Sequence, residues 1–298
     1  MVQPQNINLE ECYDNFYDYR NAVQRWSLDH TLLDAGQFYG YISLLDFGNV
    51  QVIKTGLSGS VLHRGETPPG YRTLLIPAEA NQSTIWFNKK VEQDFIYVFP
   101  KSDTTIDATT YQNFNFYTVS IEDNHLERCL RDTNASSLFK TLTDQECTFS
   151  INKFHIHYIS SFIQILFNRI RQKPDLVNSE SFINSVKYKL PYLLINIMNR
   201  RSLILQPEFN SKSAIAFNNS VEYILRNIKR NISVKELSKF SGVSARTLEL
   251  VFSERFGVSP KKFIKSARLN KFKWEIYQSS GSRTVSDIAK QYGFNHLG

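Results

Sequence analysis

Residues 233–244 read S-V-K-E-L-S-K-F-S-G-V-S, and residues 284–295 read T-V-S-D-I-A-K-Q-Y-G-F-N. The two stretches align without a gap: Ser233 answers Thr284, Val234 Val285, Glu236 Asp287, Leu237 Ile288, Lys239 Lys290, Gly242 Gly293 and Ser244 Asn295. Each opens with a hydroxyl residue followed three places on by an acid, the capping box that starts a helix. Apolar residues then fall on one helical face, Val234 and Leu237 in the first copy and Val285, Ile288, Ala289 and Tyr292 in the second. A glycine follows where a left-handed residue ends a helix, and Ser or Asn then caps a second one. Helix, glycine turn, helix is the helix-turn-helix unit.

The first copy continues into A-R-T-L-E-L-V-F-S-E-R-F-G, residues 245–257. Leu248, Val251, Phe252 and Phe256 recur at helical spacing and are expected in the core. Arg246, Glu249, Leu250 and Ser253 take the opposite face. Arg246 has the donors to pair with guanine O6 and N7, and Glu249 can accept from cytosine N4. An ordinary solvated face with a weak Arg–Glu pair would show the same spacing, but the repeat tells against it. Gly257 ends this helix. Ser259-Pro260 starts another through residue 278, a rod of about 27 Å at 1.5 Å per residue. Its Lys261, Lys262 and Lys265 follow closely enough to reach phosphates.

Charge follows the repeat. Residues 220–298 hold 15 Lys/Arg and 6 Asp/Glu, a net of +9, while the remaining 20 and 22 give −2, against +7 for the whole chain. A basic module on a near-neutral body suggests a polyanion as its partner.

Upstream, residues 40–121 look β-rich. Runs such as VQVIKTGL, TLLIPA, STIWF, DFIYVFP and FNFYTVSI are separated by the turn clusters HRGETPPG and PKSD, the texture of a small barrel or jelly roll. From about residue 152 the texture turns helical, and Pro191 is expected to kink or restart the second long helix. The expected domains are a β-rich effector-binding and dimerisation domain over 1–150, a helical dimerisation or connecting region over 151–200, a linker over 201–213 and the helix-turn-helix domain over 214–298.

The C-terminal motifs resemble the AraC/XylS family of bacterial transcription regulators. The likeness covers about the last 80 residues: S-V-K-E-L-S-K-F-S-G-V-S, then Leu248, Phe252, Gly257, Pro260, Arg268 and Leu269, then I-A-K-Q-Y-G-F. It implies an α+β protein, with an N-terminal β-rich, cupin-like sensor and a C-terminal all-α module reading operator DNA. Its base-reading positions fall on Arg246, Thr247, Glu249 and Leu250, with Ser244, Lys261, Lys262 and Lys265 as phosphate contacts. Leu250 departs from the family, which often has Arg there, and suits a thymine methyl instead. The sensor region is also similar to ethanolamine-utilisation regulators. The resemblance implies an activator answering an unknown small-molecule effector, held within about residues 40–150. It leaves RNA polymerase and a second copy of the chain open as partners.

Two other readings compete: a metal-binding cupin-type enzyme, and an interaction protein impaired in DNA binding. For the enzyme, His155 and His157 in KFHIHYI are the best metal pair, expected as one core and one exposed histidine, and His63 has no histidine near it in sequence. No phosphate loop, nucleophile elbow or paired catalytic carboxylates appear, so no catalytic residue, metal or cofactor is assigned. Cys12, Cys129 and Cys147 are odd in number and form no C-x-x-C, which fits a reducing cytoplasm. The N-terminus has no secretory pattern, and no apolar run of about 18 residues points to a membrane span. Only His296, Leu297 and Gly298 follow Asn295, so a truncated second recognition helix is expected, leaving the face of Val285, Ile288 and Tyr292 mobile and partly exposed.

Overall fold

Strands whose side chains are buried on both faces lose the apolar–polar alternation and read as continuous apolar runs. F-I-Y-V at residues 95–98 is such a strand, buried at every position. The computed structural model of the chain describes residues 7–24, 28–33, 37–78, 84–86, 89–91, 95–99, 106–110, 113–144, 147–200, 203–205, 212–279, 281 and 283–294. The β-rich part comprises β1 (Ile7–Tyr13), helix α1 (Phe16–Gln24), β2 (Leu28–Leu32), β3 (Gly40–Asp46), β4 (Val50–Leu57), β5 (Val61–Gly65), β6 (Tyr71–Pro77), β7 (Thr84–Trp86), β8 (Lys89–Val91), β9 (Phe95–Val98), β10 (Ile106–Thr110) and β11 (Phe114–Glu122). After these come α2 (Asp123–Asp132), α3 (Ser137–Asp144), β12 (Cys147–Ser150), α4 (Lys153–Gln172), α5 (Glu180–Asn199) and β13 (Leu203–Leu205). The C-terminal helices are α6 (Lys212–Arg226), α7 (Val234–Ser241), α8 (Ala245–Phe256), α9 (Pro260–Gln278) and α10 (Val285–Gln291).

The strands form two antiparallel sheets, ordered β1-β3-β4-β11-β6-β9-β12-β13 and β2-β5-β10-β7-β8. Neighbouring residues of the larger sheet serve different cores. Leu74, Ile76, Ile96, Val98 and Val119 pack outward on Leu126 of α2, Ile159 and Ile163 of α4 and Leu190 and Leu194 of α5. Leu75, Tyr97 and Phe116 pack inward with Val61 and Ala108 of the smaller sheet and Phe16, Tyr19 and Val23 of α1. The α+β layout, β-rich first and all-α last, is as the sequence implies.

Several local expectations need correction. Strands begin at Ile7, not at residue 40, and HRGETPPG opens as strand, since His63, Arg64 and Gly65 complete β5. Within the expected linker, Leu203–Leu205 pairs with Cys147–Phe149, and α6 already starts at Lys212. The region 151–200 shares the outer core of the sheet, because α4 and α5 supply one wall of it.

Pro191 neither stops nor restarts α5, which runs from Glu180 to Asn199. A proline inside a helix removes the N–H that would reach the carbonyl four residues back. Here that carbonyl belongs to Lys187, and the Nε2 of buried His125 donates to it at 2.8 Å. The side chain of α2 thus replaces the missing backbone donor.

Candidate nucleic-acid interface

Hydroxyl caps start every helix of the first unit. Ser233 Oγ accepts from Glu236 N at 3.1 Å, Ser244 Oγ from Thr247 N at 3.1 Å, and Ser259 Oγ from Lys262 N at 3.3 Å. Gly242 (φ +69°) and Gly257 (φ +65°) end α7 and α8 in the left-handed region that glycine enters without strain. In the second unit Thr284 Oγ1 accepts from Asp287 N at 3.1 Å, and Gly293 stands at φ +72°. The equivalence read from the sequence is therefore an equivalence of backbone.

The module's core is aromatic. Phe256 stacks on Phe263 at 4.7 Å, while Phe217 and Phe263 meet Phe252 at 5.0 and 5.5 Å. Leu248, Val251, Phe252 and Phe256 are all buried, so the inner face of α8 is as expected. On the outer face Arg246, Glu249 and Ser253 are exposed, and Leu250 is 58% exposed. Thr247 is half-buried, and its hydroxyl is 2.8 Å from Ser244 Oγ. Lys261, Lys262 and Lys265 are exposed on the first turns of α9, which follows α8 directly. α8 thus carries its free N-terminal turn, an arginine, a carboxylate and a bare leucine on one outer face, with three lysines close by.

Arg268 has a structural part the sequence did not specify. Its Nε donates to Ile228 O at 3.2 Å and its Nη2 to Arg230 O at 2.6 Å, fastening the α6–α7 loop to α9. The end of the second unit differs from expectation. Ile288, Ala289 and Tyr292 are buried, and Val285 alone of that face is exposed, at 53%. The reason is α9. Tyr292 packs on Phe272 and donates to Glu275 Oε2 at 2.5 Å, and Glu275 also takes Arg283 (2.6 Å) and Lys229 (3.1 Å). These donors hold the Glu275 carboxyl down at about 2, the Tyr292 hydroxyl foremost, and burial with that bond pushes the Tyr292 phenol up. Residues 295–298, on which the expected Asn295 cap and the expected truncation of a second recognition helix fall, lie outside the described residues.

The competing metal pair does not assemble. His155 and His157 lie on helix α4, half-buried and exposed, so neither is a core histidine. His155 Nδ1 is 2.6 Å from Asn152 Oδ1 at the helix cap. Among the described residues no group of three or more His, Cys, Asp or Glu could hold a metal ion, and no helix is long and apolar enough to cross a membrane. His63, isolated in sequence, meets His30 edge to face at 4.6 Å.

Both histidines line a cavity inside the β-rich body, about 710 Å³ with its open mouth included. Its walls also use Tyr19, Val23 and Leu28, which precede the window of residues 40–150 expected for an effector. Sequence reading missed a second feature, the docking of the C-terminal helical module on that body. Asn270 Nδ2 donates to Leu32 O, Tyr17 Oη to Asn270 O at 3.2 Å, and Tyr277 Oη to Asp18 Oδ1 at 2.6 Å. Arg20 lies 4.3 Å over the Trp274 ring. The signal was present: Asn270, Trp274 and Tyr277 share one face of α9 at i, i+4 and i+7.

These features define a helix-turn-helix module seated on a β-rich body, and residues 237–298 match the family model described as a helix-turn-helix domain. Residues 237–298 form a helix-turn-helix domain, similar to those of the AraC/XylS type. A XylDLEGF operon transcriptional activator of Pseudomonas putida is 35% identical over 92 residues, 30% of this chain and 29% of that one. A probable thc operon regulatory protein of Rhodococcus erythropolis is 28% identical over 80 residues, 26% and 24% of the two chains. The chain thus spans less than a third of the length of these curated relatives. Among solved structures, the AraC-like transcriptional activator CuxR superposes with TM-score 0.46 at 9% identity, over 95% of this chain and 99% of that one. A ToxT structure from Vibrio cholerae gives 0.33 at 13%, over 83% and 89%.

Proposed function

We propose that the chain is a sequence-specific DNA-binding transcription regulator, an effector-responsive activator whose body (1–150 with 151–200) senses and whose module (214–298) reads an operator. The observation that carries this is the outer face of α8, with Arg246, Glu249 and Leu250 exposed in a region of net charge +9. Arg246, Thr247, Glu249 and Leu250 are its base-contacting residues. Lys261, Lys262 and Lys265 contact phosphates. Ser244 does so through the backbone N–H groups of the turn it caps, its hydroxyl being engaged by Thr247. RNA polymerase and a second copy of the chain are partners in this reading, and the cytoplasm is its place.

The test is selection of binding sites from random duplex DNA by the full chain, followed by titration of the recovered site and of random DNA. Arg246→Ala is expected to lose about 1–3 kcal/mol on the selected site and to relax one base position. Lys262→Ala is expected to weaken both DNAs alike and to lower the salt slope by roughly one unit. Recovery of no consensus, or equal loss on both DNAs for Arg246→Ala, defeats the assignment.

A further inference from the structure

The cavity of the β-rich body and the docking of α9 share one thin wall. Tyr19 and Val23, one turn apart on α1, line the cavity. Tyr17, Asp18, Arg20 and Asn21 of the same helix face α9: the Tyr17 ring lies 6.0 Å from Trp274 and 5.9 Å from Tyr277, and Asn21 Nδ2 donates to Tyr277 Oη at 3.2 Å. β2 repeats the arrangement, with His30 on the cavity and the Leu32 carbonyl on Asn270.

The chemistry of the two sides differs. Among the described residues lining the cavity there is no lysine or arginine, and its one charged group, Glu66, is exposed. Arg20, Arg64 and Lys271 line a neighbouring cleft against α9, and His30 stands in the wall common to both. Burial makes both cavity histidines hard to protonate: it holds His63 down at about 3, while for His30 burial first, and His63 and Arg20 next, push well below the usual range. A buried anion would find no cation among the residues that line the cavity, and burying an unpaired charge is prohibitive. Two polar atoms in the lining residues lack a partner: His30 Nδ1 and Thr67 Oγ1, on residues 3% and 5% exposed. Buried polar atoms are nearly always hydrogen-bonded, so an unpaired pair on one cavity marks where a ligand's polar end belongs.

We propose that this cavity takes an uncharged small molecule, apolar but for a hydroxyl or carbonyl end held by His30 and Thr67, and that α1 and β2 transmit its binding to α9. The ligand packs on Tyr19 and Val23. A short helix in a close-packed body moves as a unit, so what displaces or stiffens its inner face changes the footing of Trp274 and Tyr277. The proposal rests on the reading of the chain as an effector-responsive regulator and adds the ligand class and the path.

The experiment uses the full chain with Trp26→Phe and Trp86→Phe, which leaves Trp274 as its sole tryptophan. The probes are benzyl alcohol and 4-phenylbutan-1-ol, set against benzoate and 4-phenylbutyrate at neutral pH. At about 10 mM, enough to detect dissociation constants of roughly 1 mM, an alcohol is expected to raise Tm and shift Trp274 emission, while the carboxylates do neither. Thr67→Val is expected to weaken alcohol binding by about 5-fold, the worth of one hydrogen bond. Tyr17→Ala is expected to keep the Tm rise and lose the emission shift. Carboxylates binding as well as alcohols, or no alcohol binding, overturns the ligand class. An alcohol that binds without moving Trp274 overturns the path. No readout involves DNA, so failure of operator binding and failure of this proposal are separate results.

Discussion

Replacing His125 by Phe keeps a planar ring in the buried site but removes the donor that serves the Lys187 carbonyl at 2.8 Å. That carbonyl lacks its usual helical donor, because Pro191 has no N–H to give it. A carbonyl left unsatisfied in the interior costs about 1–3 kcal/mol, so His125→Phe should destabilise the body by roughly 2 kcal/mol. At a urea slope of about 2–3 kcal/mol per molar, the midpoint falls by roughly 0.7–1 M. Pro191→Ala supplies the missing N–H. In that background Lys187 O regains a helical partner, and His125→Phe should cost about 1 kcal/mol or less. The assay is a double-mutant cycle on the full chain, with urea unfolding followed by far-ultraviolet circular dichroism, and the expected coupling is about 1–2 kcal/mol. If His125→Phe cost the same with Pro191 in place as in the Pro191→Ala background, the account would be refuted. The histidine would then act through packing alone, for example against the Tyr188 ring at 5.0 Å.

Three further outcomes are expected. Arg268→Met should expose the α7 amides to hydrogen exchange about 30- to 150-fold faster, as two bonds to a cation worth about 2–3 kcal/mol together are lost, and Arg268→Lys should restore only part because it cannot fork to both carbonyls. Ser233→Ala should cost about 1 kcal/mol in thermal unfolding, while Ser233→Gly should cost only a few tenths; equal loss for both would show that the hydroxyl is not the cause. Stability should also fall with acid below about pH 6.5, by about 1.4 kcal/mol per unit for each of His30 and His63. The sign follows because the unfolded chain takes up protons there while both buried rings resist them, His63 down to about 3. His63→Gln should flatten the slope between pH 6 and 4 in acid titrations of Tm, and an unchanged slope would contradict the assignment.

The module was legible because its signals are local. Caps three residues from their acids, glycines at left-handed turns and a helical apolar stripe all lie within a few positions of one another, and their repetition removed the ambiguity of any one. The β-rich body was legible as texture but not as topology. β1 and β12 carry Glu10, Glu11 and Ser150 among their apolar residues, and no turn signature announces that Leu203–Leu205 closes the sheet from beyond two helices. The meeting of His30 and His63 depends on the pairing of β2 with β5, which places the two residues opposite each other. The expectation of a restart at Pro191 failed for a related reason. The penalty at Pro191 is intrinsic, but its remedy, His125, stands on another helix, 62 positions before the Lys187 carbonyl it serves.

The pairing of β12 with β13 sets an order for the birth of this protein. The sheet that begins at Ile7 is not finished until Leu205 has been synthesised, and its outer core waits for Met198 at the end of α5. Contacts so distant along the chain close slowly. The C-terminal helices, whose contacts with one another span a few tens of residues, fold fast but emerge after the sheet. On the ribosome the slow part therefore has a head start, and the basic module becomes whole against a surface already in place.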